Sequence, residues 1–227
     1  MDDANFVSIA GLICEPVRAK ILWKLLDGRA YTATELAISA DVSTSSASNH
    51  LTKLLHGKVL KVDTQGRHRY YSFAHDDVAY AVEALANLTN GNDVKYDGTT
   101  PTEGITYCRT CYDHLAGYVG VLVTEALTKK GYLQKNQKAY HVTKEGWHWF
   151  SQFEIYENEF VKSRRPLTRQ CLDWSERRPH LAGHLGAALL DLFMKNDWFR
   201  RVEFSRELVI TTKGKQALSK ELHISLE

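Results

Sequence analysis

No stretch of this chain stays apolar and uncharged for about 18 residues, so the sequence offers no candidate membrane span. Its N-terminus, Met-Asp-Asp-Ala-Asn, is acidic where a secretory signal would be basic, and the expectation is a cytoplasmic protein without a membrane partner. Cysteine is scarce, with 4 in 227 residues. That number does not make a disulfide scaffold, and a reducing compartment leaves thiols as core residues, metal ligands or redox groups. Charge of one sign is lacking as well: the net charge of +2 is too small to argue for nucleic acid by itself. Any such argument has to come from where the charges sit. What is present is a composition 44% hydrophobic and 25% charged, enough for a sizeable buried core and for two domains.

The N-terminal part is punctuated as a run of short helices. Asn5 to Cys14 is an apolar helix candidate in which Cys14 reads as a core residue, and Pro16 suits the first position of a second helix carrying Val17, Ile21, Leu22, Leu25 and Leu26 inward. Gly28 ends it. Thr32 and Glu35 have the capping-box spacing and open a short helix through Leu36, Ala37 and Ala40. A tight turn at Asp41 and Val42 then leads to Ser43, an N-cap, and Gly57 is suited to the left-handed conformation that closes a helix. Between these marks Ala47, Leu51, Leu54 and Leu55 share one face at 3.6-residue spacing. The opposite face offers Thr44, Ser45, Ser48, Asn49, Thr52 and Lys53. Short donors and acceptors with almost no carboxylate suit a DNA major groove, so the pair of helices reads as a helix-turn-helix.

After Gly57 the periodicity changes to two. Leu60 and Val62, a turn at Gln65-Gly66 and the run Arg67 to Phe73 predict a β-hairpin with Arg67 and Arg69 projecting from the same side near its tip. Cations there can hold phosphates and supply the salt-dependent affinity that Ser and Asn cannot. The hairpin reads as the wing of a winged helix.

Taken together, Glu15 to Leu22, the Thr34-Glu35-Leu36-Ala37 start, Ser43 to Leu55 and Gly66 to Tyr71 resemble the ArsR family of bacterial winged-helix regulators. The resemblance covers about the first third of the chain. It implies a homodimeric repressor of double-stranded DNA whose affinity an effector changes, with dimerisation through the first helix and the helix after the wing, here Asp76 to Leu88. Metal-sensing members carry a Cys-x-Cys pair before the recognition helix, where this sequence has Thr32 and Thr34, and hydroxyls are poor ligands for soft metals. That site is not carried over.

A polar, turn-rich stretch, residues 91–104, reads as a linker. Domain boundaries are therefore expected at 1–90 for DNA binding and dimerisation and at 105–227 for effector binding or oligomerisation. The second part contains a repeat: the ten residues from His114 recur, without a gap, in the ten from His180, beginning His-Leu-Ala-Gly in both. Each copy is expected to enter an apolar helix, then a hairpin, then a Thr-capped helix, giving winged-helix-like units at about 108–160 and 171–227. Gly117 with Gly120, and Gly183 with Gly186, suggest close backbone approach, most simply of the two helices. The fold class expected is α+β, mainly α with small β-hairpins: a winged helix-turn-helix followed by a domain of two winged-helix-like repeats.

Candidate chemistry lies at the two starts. Cys108, Cys111 and His114 stand three residues apart and could hold a metal such as Zn²⁺, with Cys171 or His180 completing a tetrahedron. The same thiols could be a redox switch. Alternatively Cys108, Arg109, Cys111, His114, Trp174, Arg177 and His180 could line a pocket for a small organic effector, with Arg109, Arg177 or Arg178 pairing its acid group; or the same residues could be packing. A thiol enzyme is the remaining class, but nothing in the sequence supplies an oxyanion hole, an orienting group or a cofactor loop, and no catalytic residue or cofactor is assigned.

Overall fold

Glu15 and Pro16 show how the N-terminal unit begins. The Glu15 carboxylate accepts from the Arg18 amide at 2.9 Å and Pro16 occupies the first turn, so helix α2 (Pro16–Lys24) starts sharply after α1 (Asp3–Ile13). Cys14, in the junction, is exposed and not a core residue, because it lies past the last turn of α1. The Thr32–Glu35 capping box opens α3 (Ala33–Ala40), and Asp41 in the left-handed conformation closes it. Ser43 accepts from the Ser46 amide and opens α4 (Thr44–His56). At its other end Gly57 is not left-handed; Lys58 is, with φ 55°. Gly57 serves a different need: a Cβ there would fall 2.2 Å from Leu12 Cδ1 of α1.

The computed structural model describes residues 3–88, 101–161, 163, 165–203 and 205–226. Strands β1 (Tyr31–Thr32), β2 (Leu60–Gln65) and β3 (His68–Phe73) form one antiparallel sheet in the order β1-β3-β2, and α5 (Asp76–Leu88) follows. Ile21, Leu22, Leu25, Leu36, Leu51, Leu54 and Tyr71 make its core. The chain divides at Thr89 into this unit and a second, Asn90–Glu227. Of the expected linker, residues 91–100 lie outside the described residues, and its last residue begins α6 (Gly104–Tyr107).

The second unit is the repeat, and each copy begins with a hairpin where helix was expected. Strands β4 (Arg109–Cys111) and β5 (His114–Ala116) precede α7 (Gly117–Lys129), β6 (Leu133–Asn136), β7 (Ala139–Val142) and α8 (Lys144–Ser151). Strands β8 (Arg169–Leu172) and β9 (Pro179–Ala182) precede α9 (His184–Lys195), β10 (Phe199–Arg201), β11 (Leu208–Ile210) and α10 (Thr212–Leu222) in the same order. Thr143 and Thr211 cap the closing helices identically, each accepting from the amide three residues on at 2.9 Å.

The glycine pairs act at the hairpin-to-helix turns and not between helices. Gly117 and Gly183 have φ of +79° and +90°, and a Cβ on either would meet backbone carbonyls at 2.8 Å. Gly120 and Gly186 let the helices approach the Leu115 and Leu181 carbonyls of the hairpins. The copies interlock: the Leu181 amide of β9 donates to Thr124 Oγ1 of α7, the Leu208 amide of β11 to the Cys108 carbonyl beside β4, and the Gln170 amide of β8 to the Lys138 carbonyl beside β7. One hydrophobic core, with Val119, Leu127 and Phe150 from the first copy and Leu185, Phe193 and Leu218 from the second, therefore serves both.

Candidate nucleic-acid interface and a buried Cys/His cluster

Helix α4 buries Ala47, Leu51 and Leu54, and that fixes its rotation about its axis. Thr44, Ser45, Ser48, Asn49, Thr52 and Lys53 are consequently all exposed. Thr52 donates its hydroxyl to the Ser48 carbonyl at 2.9 Å, and the Ser43 and Ser45 hydroxyls lie 3.0 Å apart, so part of the polar face is ordered by local bonds. His50, beside this face, lies 3.2 Å from the Glu15 carboxylate and ties α4 to the start of α2.

In the wing, register pairs Gln65 with His68, which places Gly66 and Arg67 in the two-residue turn itself. Arg67 is thus at the tip and not in the strand, and Gly66, at φ +59°, supplies the left-handed backbone such a turn needs. Arg67, His68 and Arg69 are exposed, and the Arg69 guanidinium stands 5.6 Å from the centre of the Tyr71 ring. The wing therefore presents cations at its end and apolar side chains at its base.

In the second unit, hairpin register brings chemistry together. Cys111 pairs with His114 across β4–β5, and Cys171 pairs with His180 across β8–β9. The two pairs are equivalent positions of the repeat, since Arg109 and Arg169 likewise face Ala116 and Ala182. They meet face to face: the sulfurs are 3.9 Å apart, the two Nε2 atoms 3.1 Å apart, and ligand atoms of all four residues lie within 4.8 Å of one another. Cys111, His114 and His180 are buried and Cys171 is half-buried.

Each histidine turns Nδ1 toward a carboxylate. Asp113 Oδ1 lies 3.4 Å from Nδ1 of His114, and Asp173 Oδ2 lies 3.4 Å from Nδ1 of His180. Burial disfavours charge on His114, but Asp113 and Cys111 outweigh it and raise its pKa. Burial also opposes charge on Asp113, and the Arg165 guanidinium and His114 hold the carboxyl well below its usual range. Asp173 follows the same logic more deeply: burial is overcome by Arg109, His180, Ser175 and the Gly117 amide.

Several residues singled out in the sequence serve this arrangement from outside. Arg109 is 1% exposed, donates to both Asp173 oxygens at 2.9 and 2.8 Å, and stacks 4.7 Å from the Trp174 ring centre. It is a buried structural ion pair and not an arginine presented to an acidic effector. Cys108, sequence neighbour to the cluster, is fully buried in the apolar core, and burial pushes its thiol pKa well up; it is not one of the four. Arg177 sits in the β8–β9 loop with φ 56°. Of the basic run before Pro166, Lys162 and Arg164 lie outside the described residues, while Arg165 is paired with Asp113. A separate surface cavity of about 300 Å³ is lined by residues including Thr124, Lys129, Lys135, Tyr140 and Arg178; Arg178, one of the arginines expected to pair an effector's acid group, is there bonded to Glu125 and Glu176.

Cys171 and His180, expected as alternatives for the fourth ligand beside Cys108, Cys111 and His114, both join the cluster, and Cys108 does not. An Arg-x-Cys motif, Arg109 to Cys111 and Arg169 to Cys171, precedes both His-Leu-Ala-Gly copies and signals Cys171. Unequal loops, two residues between Cys111 and His114 and eight between Cys171 and His180, hide that signal from a gapless comparison.

A helix-turn-helix followed by an antiparallel wing, with a polar exposed helix face and a basic tip, defines a winged-helix DNA-binding protein. No protein-family model matches the chain. It is 41% identical over 223 residues to YdfF of Bacillus subtilis (strain 168), named an uncharacterized HTH-type transcriptional regulator, with 98% of this chain and 99% of that protein covered. The chain belongs to the HTH-type transcriptional regulators. Solved structures similar to it include HlyU from Vibrio cholerae, 24% identical over 38% of this chain and 94% of that one with a TM-score of 0.36. The transcriptional repressor PagR of Bacillus anthracis is 29% identical over 36% and 93%, with a TM-score of 0.33. A homodimeric winged helix-turn-helix DNA-binding domain from Mycobacterium bovis is 22% identical over 36% and 75%, with a TM-score of 0.34. Among the described residues no helix is long and apolar enough to cross a membrane.

Proposed function

We propose that the protein is a cytoplasmic, homodimeric, sequence-specific repressor that places α4 in the major groove of double-stranded DNA, holds phosphates with Arg67 and Arg69, and is released by an effector taken up in the second unit. It acts by binding and not by catalysis. The observation that carries this reading is the exposed, carboxylate-free polar face of α4 in the same unit as the basic wing tip. Homodimerisation is supported by apolar side chains left in solvent on α1 and α5: Phe6, Val7, Leu85 and Leu88 are 71%, 65%, 40% and 76% exposed. Release follows from a population shift, in which an effector that binds better to a dimer unable to span successive grooves lowers operator affinity by its differential affinity. The effector is a small organic molecule or a metal ion. The second unit's Cys/His cluster favours metal or thiol chemistry, since Arg109 and Arg178, two of the arginines expected to meet an organic acid, are already bonded to carboxylates.

A gel shift with the DNA upstream of the protein's own gene tests the reading. Binding should weaken for Asn49→Ala and for Arg67→Ala. Unchanged affinity in both variants places the reading surface elsewhere. Sedimentation of Phe6→Glu/Leu88→Glu should show monomers where the parent chain is dimeric.

A further inference from the structure

We propose that Cys111, His114, Cys171 and His180 form a closed tetrahedral site for one Zn²⁺ ion, with two ligands from each copy of the repeat. The inference concerns the second unit alone and stands whether or not operator binding is found.

Distances support it first. Zn–S bonds of about 2.3 Å and Zn–N bonds of about 2.0–2.1 Å at a tetrahedral angle put the two sulfurs about 3.8 Å apart and the two nitrogens about 3.3 Å apart. The cluster has 3.9 Å and 3.1 Å, and its sulfur–nitrogen edges, within 4.8 Å, close to a regular tetrahedron by a small side-chain shift when an ion draws the four atoms in.

Ring orientation supports it second. Each Nδ1 lies 3.4 Å from a carboxylate oxygen, Asp113 Oδ1 for His114 and Asp173 Oδ2 for His180, which turns the Nε2 atom of each ring toward the centre of the cluster. The two Nε2 atoms face each other at 3.1 Å, and in the neutral rings that bind a metal one cation between them accepts both lone pairs. A carboxylate behind each imidazole is also the outer-sphere partner that ligating histidines use to fix their orientation.

Charge supports it third. On coordination each thiol gives up its proton, and two thiolates with two neutral imidazoles offset a doubly charged ion, so a buried site stays neutral. Mixed thiolate and imidazole donors in a tetrahedron select Zn²⁺ over oxygen-seeking Mg²⁺ or Ca²⁺. Four protein ligands leave no open position, so the ion holds the two hairpins together and does not activate water.

The full-length protein, purified without chelator, should carry about one equivalent of zinc by elemental analysis. After chelation, Co²⁺ should restore an intense visible spectrum of tetrahedral type with a thiolate-to-metal band in the near ultraviolet. Cys111→Ser and Cys171→Ser should each lose the metal and the thiolate band, and Cys14→Ser should keep both. Should the cluster variants fail to fold by circular dichroism, the parent chain still decides: iodoacetamide should label Cys111 and Cys171 only after chelator is added. Absence of zinc together with no uptake on Zn²⁺ titration overturns the proposal. So does metal retained by the folded Cys111→Ser/Cys171→Ser variant, and so does protection relieved by a phosphine reductant and not by chelator, which would mean a disulfide.

Discussion

In the wing, β2 and β3 bury Leu60 and Tyr71 and leave Gln65, Arg67, His68 and Arg69 in solvent, whereas every residue of β4 and β5 is buried. The wing carries free charge outward, while the inward hairpins bring Cys, His and Asp into contact and pair each buried charge that they admit. An isolated hairpin end costs nothing to solvate. A buried one has to satisfy every polar group, which is why Asp173 takes bonds from Arg109, Gly117, Ser175 and Glu176 at once.

That contrast makes the largest predicted effect fall on Asp173. Asp173→Ala strands the buried Arg109 guanidinium and should cost about 3–5 kcal/mol, read by chemical denaturation of the full chain. A loss below about 1 kcal/mol would break the contrast, because the inward hairpins would then not depend on their charge network. Gly183→Ala comes next. A side chain at φ +90° facing backbone carbonyls at 2.8 Å should cost about 2–4 kcal/mol by the same measurement.

In the outward region the effects should move from stability to affinity. Asn49→Ala is expected to weaken operator binding by about 1–3 kcal/mol in a titration while leaving the unfolding midpoint in place. Arg67→Ala should flatten the plot of log affinity against log salt by about 1, weakening all sequences alike, because a wing cation meets phosphate and not base edges. Should Arg67→Ala instead lower stability, the wing tip would have an internal role that its exposure does not suggest. The smallest effect belongs to Ser43→Ala, which removes the acceptor for the Ser46 amide and should cost about 1 kcal/mol in thermal or chemical unfolding.

The outward region was legible residue by residue. Caps at Thr32 and Ser43 and the change from 3.6 to 2 periodicity are local signals, and exposure of the α4 face follows from burial of Ala47, Leu51 and Leu54. Local reading also erred locally: Gly57 suggested a left-handed closure, but its smallness accommodates Leu12 while Lys58 makes the turn. The second unit resisted for a different reason. Three-residue spacing of Cys108, Cys111 and His114 suggested one ligand set, but a two-residue turn at Tyr112 and Asp113 makes Cys111 and His114 cross-strand partners and leaves Cys108 outside. His-Leu-Ala-Gly looked like a helix start because apolar residues follow it. Each glycine, at positive φ, is where strand turns into helix.

By itself the sequence determined the winged helix-turn-helix, the exposed polar face of α4, its basic wing and the existence of a repeat, because each depends on residues close in the chain and on periodic burial. Only tertiary structure decided which cysteines and histidines meet. Residues 111 and 171 come together because the copies interlock, β9 against α7 and β11 against the segment beside β4, and Arg109 is taken out of play by a carboxylate 64 positions away. Contacts at that separation are set by how two hydrophobic surfaces close over one core, and no local pattern encodes the partner.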